Sequence, residues 1–260
     1  MAQGTIFGVG VGPGAPDLIT LRAINVLRAA EVLAIPRASD YGESTAWKIA
    51  SPHLDGLPAQ ERLFLTFPMS NDPRRVAPAW DKALAEIGRR VEAGLSVAFM
   101  AEGDPLVYST FIYLLREAPR RWPDARIEIV PGITSITAVP SVAGVPLADG
   151  QERIAILPAA YGVADLEALL ETFDTIVLMK LGPAIAEVVT LLERRNLLDK
   201  AVFVSKATMA AQRVVRDVRE LRGARGDCFG MMVIAQRRRA GVLLGQAPLG
   251  PLVECLEDAS

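Results

Sequence analysis

The segment that most constrains the fold is a glycine-rich stretch near the start of the chain, residues 6–23. An apolar run interrupted only by glycine leads into the turn Gly12-Pro13-Gly14, and Asp17 then precedes a helical pattern of leucines and arginines. Glycine carries no Cβ, so its backbone can approach a ligand or another strand closely. The segment therefore predicts the first strand of an α/β sheet, followed by a loop that opens a helix.

Two common nucleotide-binding motifs do not fit this loop. Pro13 stands where the dinucleotide-binding fingerprint has its third glycine, and no acidic residue ends a second strand about 20 residues later. No Gly-Lys-Ser/Thr follows either, which excludes a Walker motif. From spacing alone, a loop that binds a nucleotide-like ligand and a purely structural turn remain equally open.

Composition indicates a globular protein with a sizeable core. Of the 260 residues, 51% are hydrophobic and 22% are charged, which argues against disorder and allows one large domain or two smaller ones. The formal net charge of −2 gives no reason to expect a nucleic-acid partner, and the basic run at residues 237–239 is interpreted as a solvated strand end. No apolar run reaches the roughly 18 residues of a transmembrane helix, so no membrane partner is expected.

The sequence shows no pattern typical of metal binding or secretion. Cys228 and Cys255 are far apart and lack metal-ligand spacing, and the single histidine, His53, cannot build a histidine-based site. The first residues show no basic region followed by an apolar segment, so no secretory signal is expected. We therefore expect reduced thiols, no metal and a cytoplasmic location.

Strand and helix patterns alternate in two series. In the first series strands are predicted at 6–11, 31–35 (ended by Pro36), 63–67, 96–100 and 127–130, with helices at 20–30, 44–51, 78–93, 108–117 and 134–143. In the second series strands are predicted at 153–157, 175–179, 201–204 and 228–235, with helices at 166–170 and 184–194. The alternation predicts two α/β domains with mostly parallel or mixed sheets, at residues 1–143 and 153–245. A linker is expected at 144–152 and a tail at 246–260.

Three motifs follow predicted strands of the first series. They are Gly-Val-Gly-Pro-Gly at 10–14, Glu-Gly-Asp-Pro-Leu at 102–106 and Val-Pro-Gly-Ile-Thr-Ser at 130–135. Each alone is an ordinary turn sequence. Because ligands of open parallel sheets bind outside the carboxyl ends of the strands, the three loops together predict one ligand cleft.

These motifs carry a family resemblance that covers nearly the whole chain. The pattern Gly-x-Gly-x-Gly-Pro-Gly-x-Pro-Asp-Leu-Ile-Thr-Leu-Arg-Ala at 8–23, with Gly-Asp-Pro at 103–105 and Pro-Gly-Ile-Thr-Ser at 131–135, resembles the tetrapyrrole (corrin and porphyrin) methyltransferase family. Stretches such as Ile-Pro-Arg-x-Ser at 35–39 and Val-Leu-Met-Lys at 177–180 resemble its precorrin-2 C-20 methyltransferase subfamily. The resemblance implies a homodimer of two-domain chains, with S-adenosyl-L-methionine bound in the cleft between the two domains.

The resemblance also implies which residues contact the cofactor. They come from the second motif, the third motif and the end of the 175–179 strand: Gly103, Asp104, Leu106, Val107, Thr134, Ser135, Met179 and Leu181. Thr134 and Ser135 would border the methionine end or the methyl group, while Met179 and Leu181 would flank the adenosine. Helix capping is the alternative role of Asp104, Thr134 and Ser135, worth about 1 kcal/mol for a capping carboxylate or hydroxyl, and plain core packing is the alternative for Met179.

The substrate side is expected at the first loop, because the resemblance implies that Gly12, Pro13 and Gly14 face the tetrapyrrole. A precorrin carries many carboxylates, and Arg37 is the candidate to bind one, since a guanidinium matches a carboxylate bidentately. An ordinary surface arginine is an equal alternative.

The resemblance implies methylation of precorrin-2 at the C-20 meso carbon in cobalamin biosynthesis, with S-adenosyl-L-homocysteine as the second product. A proton must then leave the methylated carbon, and Tyr108, Asp104 and Glu102 are candidates to accept it by neighbourhood alone. A water molecule or the macrocycle nitrogens are alternatives.

Other activities remain open at this point. They are the cobalt-factor II form of the same reaction, methylation of uroporphyrinogen III, and a non-catalytic tetrapyrrole-binding module. An RNA ribose methylase is disfavoured by the weak net charge.

Overall fold

The computed structural model describes residues 3–54, 60–70, 72–159, 163–224, 226 and 229–236. The chain divides into two compact units, Met1–Ser135 and Ile136–Ser260. The division precedes the 144–152 segment because Val139 and Ala143 pack in a core cluster of the second unit. Cys228, Cys255, the basic run at 237–239 and the predicted tail at 246–260 lie outside the described residues.

The first unit is built on a five-stranded parallel sheet. Its strands are β1 Thr5–Gly10, β2 Val32–Arg37, β3 Glu61–Thr66, β4 Val97–Ala101 and β5 Arg126–Val130, in the order β3-β2-β4-β1-β5. Its helices are α1 Leu21–Ala29, α2 Thr45–Ala50, α3 Pro73–Glu92 and α4 Phe111–Arg121. All five residues of β4 are buried, as expected for a central parallel strand covered on both faces.

Alternate β4 side chains belong to two separate core clusters. Ala98 and Met100 pack with α1 and α2, whereas Val97 and Phe99 pack with α3 and α4. This two-sided burial explains why the strand is a continuous apolar run in the sequence. Because all five strands are parallel, their carboxyl ends lie together at one edge of the sheet.

Polar side chains set the beginnings of the helices. Thr20 accepts the N–H of Ala23 at the start of α1, and Ser44 accepts that of Trp47 at the start of α2. Helix α3 begins at Pro73, well before the expected residue 78, because Asp72 caps it and proline suits the first helical position.

The predicted end of β2 and the predicted start of α4 were both wrong. Strand β2 continues through Pro36 to Arg37, because its pairing with β4 ends at Ala34 and only β3 remains beside it at the proline. The helix expected from residue 108 begins instead at Phe111, and Tyr108 has a left-handed backbone with a φ of 50°.

The second unit is built on a five-stranded mixed sheet. Its strands are β6 Ile154–Pro158, β7 Thr175–Met179, β8 Ala201–Ser205, β9 Arg213–Val215 and β10 Gly230–Ala235, in the order β6-β7-β10-β8-β9. Its helices are α5 Ser135–Ala143, α6 Leu166–Thr172 and α7 Ile185–Arg194. Strand β10 is antiparallel to both its neighbours, and β6 is parallel to β7. The two sheets confirm the predicted α/β class.

No helix among the described residues combines the length and the apolar character required to cross a membrane.

Candidate functional site

Three strand-end loops meet at the carboxyl edge of the first sheet. Strands β4, β1 and β5 are neighbours in that order, so their following loops start side by side. The N–H of Val11 donates to the carbonyl of Ala101 at 2.9 Å, and Gly12 and Gly103 exchange backbone hydrogen bonds at 3.3 and 2.8 Å. The backbones of the first and second motifs are therefore paired by hydrogen bonds.

Glycine is required where the third motif joins this surface. A Cβ on Gly132 would lie 2.1 Å from the Gly103 carbonyl oxygen and 2.8 Å from Gly10 Cα. A Cβ on Gly10 would lie 2.6 Å from the Gly132 backbone nitrogen. Because these neighbours are backbone atoms, no side chain can turn aside to make room. Three chain segments far apart in sequence thus come into direct backbone contact.

Asp104 links the second and third motifs through its side chain. One carboxylate oxygen accepts the N–H of Leu106 at 2.9 Å, and the other accepts the N–H of Gly132 at 3.0 Å. The first bond closes a local turn and does not cap a helix, because the next helix, α4, begins only at Phe111; the helix-capping role expected as the alternative for Asp104 was therefore wrong. The second spans 28 positions and was not foreseen, because sequence spacing carries no signal for it.

The residues around Asp104 differ in exposure. Gly103 is buried with a φ of 68°, whereas Leu106 is 48% exposed and Glu102 is also exposed. Val107 is partly buried, and its N–H donates to the Asp104 carbonyl at 3.3 Å. Leu106 and Glu102 are thus accessible to a ligand.

Tyr108, two residues beyond the second motif, has a backbone conformation that a bulky residue rarely adopts. Its φ of 50° places it in the left-handed region, at a cost on the order of 1 kcal/mol or more, and its side chain is 44% exposed. Strain of this kind is concentrated at functional positions.

Thr134 and Ser135 lie beside the second motif. A Cβ on Gly103 would be 3.8 Å from Thr134 Cα, and both Thr134 and Ser135 are partly exposed. Ser135 is the first residue of α5. The structure thus brings both residues to the same loop cluster as Gly103.

The first motif is more enclosed than the other two. Gly12 and Pro13 are buried, and position 12 requires glycine because its φ is 93° and a Cβ would lie 2.8 Å from the Leu18 carbonyl oxygen. Gly14 is partly exposed. Of the three residues expected to face a substrate, Gly14 offers the accessible surface.

Arg37 is held at the carboxyl end of β2 by neighbours that sequence reasoning missed. Its Nε donates to the Thr66 hydroxyl at 3.1 Å, its guanidinium pairs with Asp40 at 3.3 Å, and it stacks 5.3 Å from the centre of the Phe64 ring. The Thr66 hydroxyl donates to Asp40, and this bond, strengthened by the positive charge of Arg37, lowers the pKa of the Asp40 carboxyl. Arg37 is therefore an oriented cation rather than a loose surface arginine.

In the second unit, Met179 and Leu181 follow β7. Met179 is 7% exposed and Leu181 is fully buried, each in a different core cluster. The Leu181 N–H donates to the Gly230 carbonyl at 3.0 Å. Both side chains therefore pack in the core of this unit, and their contact with an adenosine stays a prediction.

Among the described residues, no group of three or more His, Cys, Asp or Glu side chains is arranged to hold a metal ion.

Known proteins resemble this chain in sequence and in fold. The family model described as Tetrapyrrole (Corrin/Porphyrin) Methylases matches residues 5–221. The chain is 35% identical to the cobalamin biosynthesis protein CobIJ of Mycobacterium tuberculosis, over 96% of this chain but only 50% of that protein. The chain thus spans about half the length of this relative.

A second relative matches over most of both chains. The cobalt-precorrin-2 C(20)-methyltransferase of Salmonella typhimurium is 34% identical, over 84% of this chain and 90% of that one. Among solved structures, uroporphyrin-III C-methyl transferase from Thermus thermophilus complexed with S-adenyl homocysteine has a TM-score of 0.64 at 21% identity, over 90% of this chain and 98% of that one. With the fold and the three converging loops, these matches show that the chain belongs to the tetrapyrrole (corrin/porphyrin) methylase family.

Proposed function

We propose that the chain transfers the methyl group of S-adenosyl-L-methionine to the C-20 meso carbon of precorrin-2 in cobalamin biosynthesis. The observation that carries the proposal is the convergence of the Gly12, Gly103 and Gly132 loops at one sheet edge. The Salmonella relative is named for methylation at this carbon, and so is a precorrin-2 C(20)-methyltransferase from Sinorhizobium.

The loop cluster fits a ligand that carries positive charge and no phosphate. It brings together backbone at Gly103, the accessible carboxylate-bearing residue Glu102 and the partly exposed hydroxyl residues Thr134 and Ser135. The ammonium and sulfonium of S-adenosyl-L-methionine are both attracted to the Glu102 carboxylate, which repels a phosphate, and the two hydroxyls suit the polar ribose or methionine groups. Leu106 and Val107 add apolar surface, which suits a nucleoside. These residues, with Met179 and Leu181 of the second unit, are the proposed cofactor contacts.

The chemistry asks the protein chiefly for positioning. When bound, the cofactor supplies an electrophilic methyl group, which the electron-rich meso carbon takes as the carbon–sulfur bond breaks and its electrons stay on sulfur. Holding the methyl donor and the acceptor carbon in line can lower the free-energy barrier by roughly 7–11 kcal/mol. A cluster of three loops joined by hydrogen bonds and close backbone contacts is suited to this task.

Within this proposal the three candidate proton acceptors have different roles. Both oxygens of Asp104 accept backbone N–H groups, so we assign Asp104 to positioning the loops. Glu102 and Tyr108 are exposed beside the same loop and remain the proposed groups for removal of the proton from the methylated carbon. A carboxylate such as that of Glu102 offers an oxygen that accepts a proton directly.

On the acceptor side, Gly12, Pro13, Gly14 and Arg37 are the proposed substrate contacts. Arg37 supports this role best, because Thr66 and Phe64 orient its guanidinium and the side chain is 23% exposed. A homodimer and a cytoplasmic location remain predictions of the sequence analysis.

A comparison of acceptors tests the proposal. The protein would be incubated with methyl-labelled S-adenosyl-L-methionine and, separately, precorrin-2, cobalt-precorrin-2 or uroporphyrinogen III, and the methyl groups added would be counted by mass spectrometry. We expect one added methyl on precorrin-2 and none on uroporphyrinogen III. Preference for the cobalt form would favour the activity named in the Salmonella relative, and methylation of uroporphyrinogen III would overturn the proposed acceptor.

A further inference from the structure

Gly8, the first glycine of the glycine-rich stretch, lies against the ring of Phe111. A Cβ on Gly8 would lie 2.4 Å from two carbons of that ring, Cε1 and Cζ. Phe111 is fully buried and is the first residue of α4. Position 8 therefore requires glycine, because the Phe111 ring occupies the space that any side chain would need.

The Phe111 ring packs on two neighbouring strands of the first sheet. Gly8 on β1 is the register partner of Phe99 on β4. The ring centroids of Phe99 and Phe111 lie 5.8 Å apart, with an interplanar angle of 47°. Both rings are fully buried in the same core cluster. Because side chains in such a core are closely packed, the Phe111 ring fixes where α4 begins relative to the sheet.

Tyr108 lies in a short segment whose two ends are both held. Before it, the Asp104 carboxylate accepts the N–H of Gly132 in the third motif. After it, Phe111 is held by the sheet, and its N–H donates to the Ser109 hydroxyl at 3.2 Å. The left-handed backbone of Tyr108, with its φ of 50°, falls between these two anchors.

The two anchors account for the unfavourable backbone of Tyr108. A tyrosine in the left-handed region keeps that conformation only where the surrounding structure determines it. The second anchor depends on the fit of the Phe111 ring against Gly8 and Phe99. Loss of that fit would let residues 107–110 relax and would move the Tyr108 side chain, which is 44% exposed.

We propose that Phe111, packed on Gly8, is a positioning residue that holds Tyr108 in place for its action on the tetrapyrrole. The inference rests on the proposed function, which includes Tyr108 among the groups for removal of the proton. Phe111 is fully buried, so it touches neither the cofactor nor the acceptor itself. Its substitution should change turnover more than cofactor binding, since Asp104 still joins the second and third motifs.

An exchange of volume between the two positions tests the inference in the full chain. Gly8→Ala adds a methyl group against the ring, and Phe111→Leu removes the ring. The double variant Gly8→Ala/Phe111→Leu places the methyl group beside the space that the ring leaves. Phe111→Met keeps most of the side-chain volume without the ring, so it repeats the comparison with less effect on folding.

Each variant would be assayed for kcat and KM with precorrin-2 and for S-adenosyl-L-homocysteine binding by calorimetry. Phe203→Leu is the matched control, because Phe203 is a buried phenylalanine in the core of the second unit. Denaturant titration of every variant shows how far each substitution lowers stability.

We expect Gly8→Ala and Phe111→Leu each to lower kcat about 10- to 100-fold, since small displacements of a reacting group have effects of this size. Affinity for S-adenosyl-L-homocysteine should stay within about twofold, and the double variant should regain most of the lost kcat. Phe203→Leu should lose stability and keep its kcat. An equal loss of kcat in Phe203→Leu, an equal loss of cofactor-product binding in Phe111→Leu, or a double variant as slow as the single variants would overturn the inference.

The dependence on Tyr108 is measured in a Tyr108→Phe background. Tyr108→Phe should itself lower kcat about 10-fold or more. Adding Phe111→Leu should then lower kcat by less than about twofold, because the group that Phe111 positions is already absent. A full additional loss in that background, or an unchanged kcat in Tyr108→Phe alone, would overturn the inference.

Failure of this inference can be told apart from failure of the proposed function. A wild-type protein that methylates precorrin-2, with a Phe111→Leu variant of equal kcat, contradicts the positioning role alone. A wild-type protein that transfers no methyl group to precorrin-2 contradicts the proposed function.

Discussion

The carboxylate of Asp104 accepts the backbone N–H of Gly132 at 3.0 Å and so connects the loop after β4 to the loop after β5. The same carboxylate accepts the N–H of Leu106 within its own loop. Since the Gly103 backbone is bonded to Gly12, one aspartate completes the connection among all three strand-end loops. The site is therefore held by backbone contacts together with the Asp104 carboxylate.

Asp104→Ala should separate the second and third loops. Two N–H groups lose their acceptor, and leaving such groups unpaired costs about 1–3 kcal/mol. We expect a loss of that size in the free energy of unfolding, measured by denaturant titration, and weaker S-adenosyl-L-homocysteine binding by calorimetry. Asp104→Asn, which keeps one acceptor oxygen, should lose less. The exposed Asp124→Ala is the matched control, and an Asp104→Ala protein that equals it in both measurements would contradict the positioning role.

Gly132→Ala should disrupt the loop cluster, because it adds a methyl group where the three loops are in direct contact. The new Cβ would lie 2.1 Å from the Gly103 carbonyl oxygen, so backbone must move. We expect a loss above about 2 kcal/mol of stability, in the range of overpacking, together with lost S-adenosyl-L-homocysteine binding.

The control for this glycine is Gly144→Ala, where the φ is 64° and no atom lies within 4 Å of the added Cβ. It should cost about 1 kcal/mol from backbone strain and leave ligand binding intact. Equal losses of stability and of S-adenosyl-L-homocysteine binding in Gly132→Ala and Gly144→Ala would show that the close contact between the loops is not needed for either.

Substitutions of Arg37 and of Asp40 should change the KM for precorrin-2 in different directions. Arg37→Ala removes the oriented cation and should raise the KM for precorrin-2 about 10-fold or more, with little change in S-adenosyl-L-homocysteine affinity. Asp40→Asn removes the carboxylate that now pairs with Arg37, so KM should stay equal or fall. Arg75→Ala, on an exposed part of α3, is the control. A raised KM in Asp40→Asn, as large as that of Arg37→Ala, would show that the pair is structural.

Glu31 should make stability depend on pH in the acid range. Its carboxyl accepts the N–H and the hydroxyl of Ser96, and these bonds lower the pKa of Glu31 from its ordinary value of 4.5. A lowered folded-state pKa means that the stabilisation is complete above pH 4.5 and is lost as pH falls through the lower folded value.

Glu31→Gln should therefore reduce the free energy of unfolding at pH 7, by less than about 1 kcal/mol because the group is exposed. The difference from the wild type should shrink as the pH falls below 4.5. Chemical denaturation at a series of pH values measures it, and a difference that grows toward low pH would contradict the assigned sign.

The sequence predicts the sheets well and the contacts between loops poorly. The apolar run at 175–179 is found as β7 with the same bounds, because a strand buried on both faces leaves a continuous apolar signature. Strand β9, with only three residues, is too short to show a period and was missed. The convergence of the three motifs follows from a topological rule, since parallel neighbours end at one edge.

Other features depend on contacts that no local pattern records. The Asp104–Gly132 hydrogen bond and the Thr66 and Phe64 contacts of Arg37 join residues far apart in sequence. The left-handed backbone of Tyr108 also overrides a helical pattern that local periodicity favours. Tertiary packing decides such positions, so they become visible only in the structure.

The most direct test of the proposed activity is the position of the transferred carbon. The protein would be incubated with precorrin-2 and S-adenosyl-L-methionine carrying a ¹³C methyl group, and the product would be examined by ¹³C NMR. The proposed function predicts one labelled methyl, bonded to the meso carbon between rings A and D. A label on a pyrrole-ring carbon, or no transfer from a protein that still binds S-adenosyl-L-homocysteine, would contradict it.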